Sequence, residues 1–233
     1  MRFRCRISSQ ENENCDILAS REEQIPGELY GQEGFYAAVF VASGVYGSGK
    51  DNRSEISGVC LPEIHVSYEA NQSVIKEIRR RGLNKNKYED YLEIQKLWLM
   101  NEVRRWEACK GYPCTVMDFG AEEIVFYTLN YPRSMGLDWD VETPLREELE
   151  RIQVCLPQRI LFLDASEEWL RKNKEGDETR SREFFEYYVK HMMPLKRKWF
   201  SGRENVDFLK TDGMTIEEMG QAVKKWAEEQ RKR

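Results

Sequence analysis

The sequence predicts an α/β protein built on a parallel sheet. Three features carry this expectation: five short apolar runs spread along the chain, helical spacing in the stretches between them, and one run, FYAAVFVAS (35–43), that is apolar almost throughout. A strand that is apolar on both sides is how a central strand covered on both faces reads. Strands alternating with helical segments imply crossover connections, and crossovers make neighbouring strands parallel.

Residues 1–34 are polar, rich in Glu, Gln, Asn and Ser, and contain the turn-prone IPGELYGQEG; they read as an extension ahead of a domain spanning 35–233. After the run at 35–43, further strands are expected at IHVSY (64–68), CTVM (114–117), RILFLD (159–164) and VDFLK (206–210). The clearest helix is residues 87–111, where Tyr88, Tyr91, Leu92, Leu99, Val103 and Trp106 recur at near-helical steps and Gly111 offers a stop. The last helix is announced by Thr215 as N-cap with Glu218 three residues later, followed by Met219, Val223 and Trp226 on one face. The arginines at 79–81 read as a basic helix terminus, and the closing RKR as a solvated tail suited to the negative end of a helix dipole.

Composition narrows the function classes. With 36 Lys plus Arg against 41 Asp plus Glu, the net charge is -5, so general nucleic-acid binding is not expected. No apolar stretch reaches the 18 residues of a membrane helix, and the basic N-terminus lacks the apolar region of a secretory signal; the expectation is an intracellular, cytoplasmic protein. The six cysteines form no CxxC pair and read as ordinary reduced thiols, while His65 and His191 stand far apart with no metal-ligand spacing. The oligomeric state stays open, with a homodimer among the candidates.

The motif that carries chemistry follows the first strand directly. GVYGSGKD, Gly44 to Asp51, matches the phosphate-binding pattern GxxxxGK and departs from it only where a Ser or Thr would follow the lysine. Gly44, Gly47, Ser48 and Gly49 let successive backbone N–H groups converge on phosphate oxygens, and Lys50 reaches the outer phosphates. Asp51 stands where a hydroxyl would coordinate magnesium; as a carboxylate it repels phosphate unless the metal lies between them.

With this loop in place, residues 35–230 resemble the P-loop nucleoside and nucleotide kinases, a group that includes deoxynucleoside kinases and thymidylate kinase. The resemblance implies a three-layer P-loop NTPase fold with a central five-stranded parallel sheet. It also implies ATP and magnesium as cofactors, and transfer of the γ-phosphate to a small hydroxyl acceptor such as a nucleoside or nucleoside monophosphate. HVSYEAN is similar to the family's second strand end, which gives Glu69 the role of general base at the acceptor hydroxyl. CTVMDFG resembles its third strand and Asp-Arg pair: Asp118 matches the Asp, near magnesium or the acceptor, and Phe119 replaces the Arg. LDASEEWLRKNKEGDETRSREFF resembles the fourth strand, a helix and an arginine-bearing lid near 171–185. Arg171, Arg180 and Arg182 are its phosphate-facing candidates, Arg180 foremost. NVDFLKTDG resembles the last strand and an adenine-side loop at Thr211 to Gly213.

Three features run against an intact kinase, the first being that Asp51 lacks the metal-binding hydroxyl. Arg104 and Arg105 stand near, but out of register with, the acceptor-contacting arginine of the family's substrate helix, and Phe119 lacks a guanidinium. A catalytically impaired, kinase-like binding or regulatory protein is the alternative reading. The aromatic segments YEDYLEIQKLWLM and FFEYYVKHMMPLKRKWF would line a base-sized pocket or pack as helix cores, and their helical spacing favours cores.

Overall fold

The computed structural model describes residues 38–44 as backbone, together with 64–174 and 182–232. The chain divides after Phe35, and all described residues belong to the second unit, Tyr36–Arg233. Within it, five strands form one sheet in the order β2-β3-β1-β4-β5. They are β1 (Ala38–Gly44), β2 (His65–Ser67), β3 (Cys114–Asp118), β4 (Arg159–Asp164) and β5 (Val206–Lys210). Every neighbouring pair is parallel.

The helices of the described residues are α1 (Gln72–Arg81), α2 (Tyr88–Cys109), α3 (Ala121–Ser134), α4 (Arg146–Ile152), α5 (Glu167–Lys174), α6 (Arg182–Tyr187), α7 (Met193–Ser201) and α8 (Ile216–Arg231). A π-turn, Tyr188–Met192, joins α6 to α7. Three arginines close α1, and Gly82 stops it at φ +63°, a left-handed conformation that costs glycine nothing. α8 opens with the capping box expected from its sequence: the Thr215 hydroxyl accepts from the Glu218 N–H and the Glu218 carboxylate accepts from the Thr215 N–H.

Alternation along the strands sends side chains into two cores, one on each face of the sheet. Met117, Ile160 and Phe162 face one side with Phe126 of α3, Phe185 of α6 and Phe200 of α7. Cys114, Val116, Leu161 and Leu163 face the other, against Met219, Val223 and Trp226 of α8. A third cluster packs α2 on α3 and α4 through Leu92, Leu99, Val125, Leu145 and Ile152.

The register sets up the site. Ala42 of β1 lies opposite Asp118, and Gly44 lies opposite Leu163, one residue short of Asp164. The end of β1 is therefore flanked by two aspartates at the ends of its neighbours. The following connections leave in opposite directions, β1 toward β2 on one side and β3 toward β4 on the other. In open parallel sheets such a point, at the carboxyl ends of the strands, is where ligands bind. Among the described residues no helix is long and apolar enough to cross a membrane.

Candidate functional site

A cavity of about 310 Å³ lies beside the ends of β2 and β3. One wall comes from α2, whose Tyr91, Ile94, Gln95 and Trp98 fall at steps of three and four on a single face. The opposite wall is α3, with Ile124, Tyr127 and Tyr131 on an equivalent stripe. Glu69 and Asn71 enter from the loop after β2, Phe119 from the end of β3, and Lys85 from the turn between α1 and α2. The Asn101 side chain fixes the β2 loop by donating to the Ala70 carbonyl at 3.1 Å.

Hydrogen bonds tie the two walls together. The Tyr91 hydroxyl donates to the main-chain carbonyl of Thr128 at 2.9 Å, and burial pushes its pKa up. The Thr128 hydroxyl donates to Gln95 Oε1 at 2.9 Å. With its oxygen engaged, Gln95 offers the cavity its NH₂, a pair of donors fixed against the wall. Tyr131 lies nearly parallel to Tyr91 at 6.0 Å, and Phe119 nearly parallel to Tyr127 at 6.0 Å. Lys85 Nζ lies 5.0 Å from the Tyr131 ring centre and 5.6 Å from that of Phe184 on α6. Burial, reinforced by nearby Tyr188 and Glu123, raises the Tyr127 hydroxyl well above its ordinary pKa. This hydroxyl therefore serves as a neutral hydrogen-bonding group.

The corner after β3 is held from α2. Phe119 has φ +59°. A side-chain-bearing residue pays about 1–2 kcal/mol for that conformation unless its surroundings impose it. Here the surroundings do: buried Arg105 donates from Nη1 to the Asp118 carbonyl at 2.8 Å and from Nη2 to the Phe119 carbonyl. The same guanidinium pairs with Glu102 at 2.8 Å, both side chains being buried. Burial dominates at Glu102 and pushes its pKa up to about 6, against the lowering effect of Arg105. Beneath Phe119, buried Lys196 of α7 is paired with Glu123, its Nζ 6.0 Å from the Phe119 ring centre and 5.6 Å from that of Tyr127.

The strand ends on the β4 side are equally tied. Asp164 accepts from Arg197 Nε at 2.8 Å and from Lys210 Nζ at 2.6 Å. The loop after β5 docks here: the Thr211 N–H donates to the Asp164 carbonyl at 2.9 Å, and Asp212 accepts from the Ser166 N–H at 2.7 Å. Gly213 completes the turn at φ +77°.

The residues singled out from sequence fall into three groups. Asp118 ends β3 and is buried, while Glu69 lies in the loop two residues past the end of the neighbouring β2, half-buried in the cavity wall. Arg171 and Arg182 flank the interval 175–181. Arg171 is engaged by Glu167 at 2.8 Å and Glu186 at 2.6 Å, bridging α5 and α6, and Arg182 is exposed at the start of α6. Gly44 is placed at the end of β1, whereas Gly47, Ser48, Gly49, Lys50, Asp51 and Arg180 lie outside the described residues, as do the extension 1–34 and the polar segment 51–60. Neither Arg104 nor Arg105 of α2 lines the cavity: Arg105 is spent on carbonyls, and Arg104 Nε donates to the Met100 carbonyl on the surface.

Sequence reasoning took the first aromatic segment as helix core, and the structure divides it. Leu92 and Leu99 pack inward with α3 and α4, while Tyr91 and Trp98 also face the cavity. The second segment stays core, through Phe185, Tyr188, Met192 and Phe200. Gln95 and Lys85 were not anticipated, and Arg105 was noted only as an arginine out of register, not for its hold on the carbonyls of Asp118 and Phe119. Cys109, Cys114 and Cys155 are buried free thiols; burial raises Cys114 and pushes Cys155 up to about 12, which disfavours the reactive thiolate at those two. Among the described residues no group of three or more His, Cys, Asp or Glu is arranged to hold a metal ion.

No protein-family model matches the sequence. No curated protein matches it either. Among solved structures, the chain is similar to thymidylate kinase from Candida albicans, with a TM-score of 0.59 and 14% identity, over 84% of this chain and 92% of that one. At this identity the likeness concerns the backbone: the chain shares the α/β fold of thymidylate kinase.

Proposed function

We propose that the protein is an ATP-dependent phosphotransferase acting on a nucleoside, nucleoside monophosphate or similar small hydroxyl compound. The observation that carries this reading is the cavity itself, an aromatic slot with a carboxylate at one end, set at the carboxyl ends of β2 and β3. Trp98, Tyr91 and Phe119 provide flat apolar surface for a base-like ring, and Gln95 provides in-plane donors for its polar edge. Glu69 would take the proton as the acceptor oxygen attacks the γ-phosphorus and the bond to the β-phosphate oxygen of the leaving ADP breaks. The phosphate loop from Gly44 to Lys50 would hold ATP, with Ser48 and Gly49 in the backbone cradle, and Arg180, aided by Arg171 and Arg182, would close over the phosphates.

The carboxylate content suits magnesium, which binds through one or two carboxylates together with nucleotide phosphates. Asp118 and Asp51 would be those carboxylates, and the ion would neutralise charge on the transferring group. The Arg171 ion pairs must then open, or the residue must serve only to join α5 to α6.

Two observations favour a second reading, a kinase-like nucleotide-binding or regulatory protein with impaired transfer: Phe119 stands in place of a phosphate-contacting arginine, and Arg105 is committed to main-chain carbonyls. Calorimetric titration with ATP, with and without magnesium, tests the shared premise. Magnesium-assisted binding that disappears in Lys50→Ala supports nucleotide use, and a folded protein that takes up no ATP counts against the phosphotransferase and favours the non-catalytic reading, with the loop kept as architecture. ADP release in the presence of an acceptor then separates enzyme from binder.

A further inference from the structure

We infer that the outer face of α1 and the turn after it form a docking ridge for single-stranded nucleic acid, which they hold by its phosphates and unpaired bases without reading its sequence. The ridge stands on its own observations and does not depend on phosphotransfer. Six of the twelve residues 76–87 are Lys or Arg, and one, Glu77, is acidic. The net charge of -5 belongs to the chain as a whole, whereas the density here is local.

The helix sorts these cations by face. Val74 is buried, Ile78 is half-buried and Arg81 reaches Glu93 of α2 at 2.8 Å, so positions 74, 78 and 81 turn toward α2. Lys76, Arg79 and Arg80 fall at steps of three and four on the opposite face, all exposed. Arg80 pairs with Glu77 at 2.6 Å, an exposed ion pair of the kind that yields readily to a competing phosphate. The negative end of the helix dipole explains cations in the last turn, but its influence ends there and reaches neither Lys76 on one side nor Lys85 and Lys87 on the other.

Beyond Gly82 the chain folds tightly: the Lys87 N–H donates to the Asn84 carbonyl at 2.9 Å, and the Asn86 N–H to the Asn84 side chain at 3.0 Å. This turn sets Lys85 over two rings, 5.0 Å from the centre of Tyr131 and 5.6 Å from that of exposed Phe184. Lys85 and Tyr131 also belong to the cavity wall, with Tyr91 and Trp98. A line of cations that leads onto aromatic faces matches a single strand, whose phosphates repeat a negative charge and whose unpaired bases stack on rings whatever their identity. An acidic peptide brings only the charge, and a duplex keeps its bases within its own stack.

The test is fluorescence anisotropy of the full chain with a labelled oligodeoxythymidylate of about twelve nucleotides, from low to physiological salt. The slope of log K on log[salt] should be about -2 to -3.5, the value for three to five phosphate contacts with a single strand. The triple variant Lys76→Ala, Arg79→Ala, Arg80→Ala, verified as folded by its melting temperature, should bind at least tenfold more weakly at low salt and flatten the slope by about 2. Phe184→Ala should weaken binding threefold or more with the slope unchanged, the mark of a lost stacking surface. A duplex of the same length, and polyglutamate as competitor, should each bind at least tenfold more weakly than the strand. Absence of binding at low salt, unchanged affinity in either folded variant, or a duplex or polyglutamate that binds as tightly as the strand overturns the inference and leaves the phosphotransferase reading untouched.

Discussion

The guanidinium of Arg105 donates to the main-chain carbonyl of Phe119, and Phe119 is the one described residue other than glycine with a positive φ, at +59°. A buried arginine on α2 thus holds a strained corner at the end of β3, and the corner presents a ring to the cavity. Because Arg105 is also the partner of buried Glu102, Arg105→Ala strands a carboxylate and two carbonyls together. We expect a loss of about 3–5 kcal/mol in unfolding free energy, read from urea denaturation. Lys at this position, with one ammonium in place of a fork, should recover only part of it.

The same pair gives the protein a signature in pH. Burial raises Glu102 from 4.5 to about 6, so the folded state binds this proton more tightly than the unfolded chain does. Below pH 4.5 both states are protonated and the contribution is fully present; it is lost as pH rises from 4.5 through 6. Glu102→Gln removes the titration. The stability difference, wild type minus Glu102→Gln, should therefore fall across this window and be flat above about pH 7. A difference that rises with pH between 4.5 and 6 would show that Arg105 outweighs burial.

Gln95 depends on Thr128 for its orientation. Thr128→Val should leave the walls in place but free the amide to turn. Its expected effect is a weakening of nucleoside binding of about tenfold, the value of roughly one neutral hydrogen bond, with a melting temperature lowered by only a few degrees. Gln95→Leu should weaken binding by a similar or larger factor. Unchanged affinity in both variants would remove Gln95 from the recognition of the ligand.

Sequence reached the frame further than the site. The strands were readable because a buried parallel strand must be apolar on both faces, as RILFLD is, and the capping box of α8 because Thr215 and Glu218 satisfy each other locally. Glu69 and Asp118 were singled out by the resemblance of HVSYEAN and CTVMDFG to kinase strand ends, and not by the apolar pattern. The cavity was not readable, since helical spacing brings Tyr91 and Leu92 to a buried side alike; only the position of α3 decides which one meets a void. Arg105 was read as an arginine out of register because its partners are main-chain carbonyls, which carry no trace in sequence. Asp164 was hidden for a similar reason: Arg197 and Lys210 come from 33 and 46 residues away.

Glu69 is the residue on which chemistry should turn. If it takes the acceptor proton, Glu69→Gln should lower kcat by about 100-fold or more while keeping the melting temperature within a few degrees. The most direct measurement follows the γ-phosphate itself: wild-type protein is incubated with magnesium and ATP labelled at that position, with the four deoxynucleosides as acceptors. The account predicts a labelled nucleoside monophosphate that is lost in Lys50→Ala and strongly reduced in Glu69→Gln. Folded protein that binds ATP yet labels no acceptor, or that yields the same product in both variants as in the wild type, would contradict it.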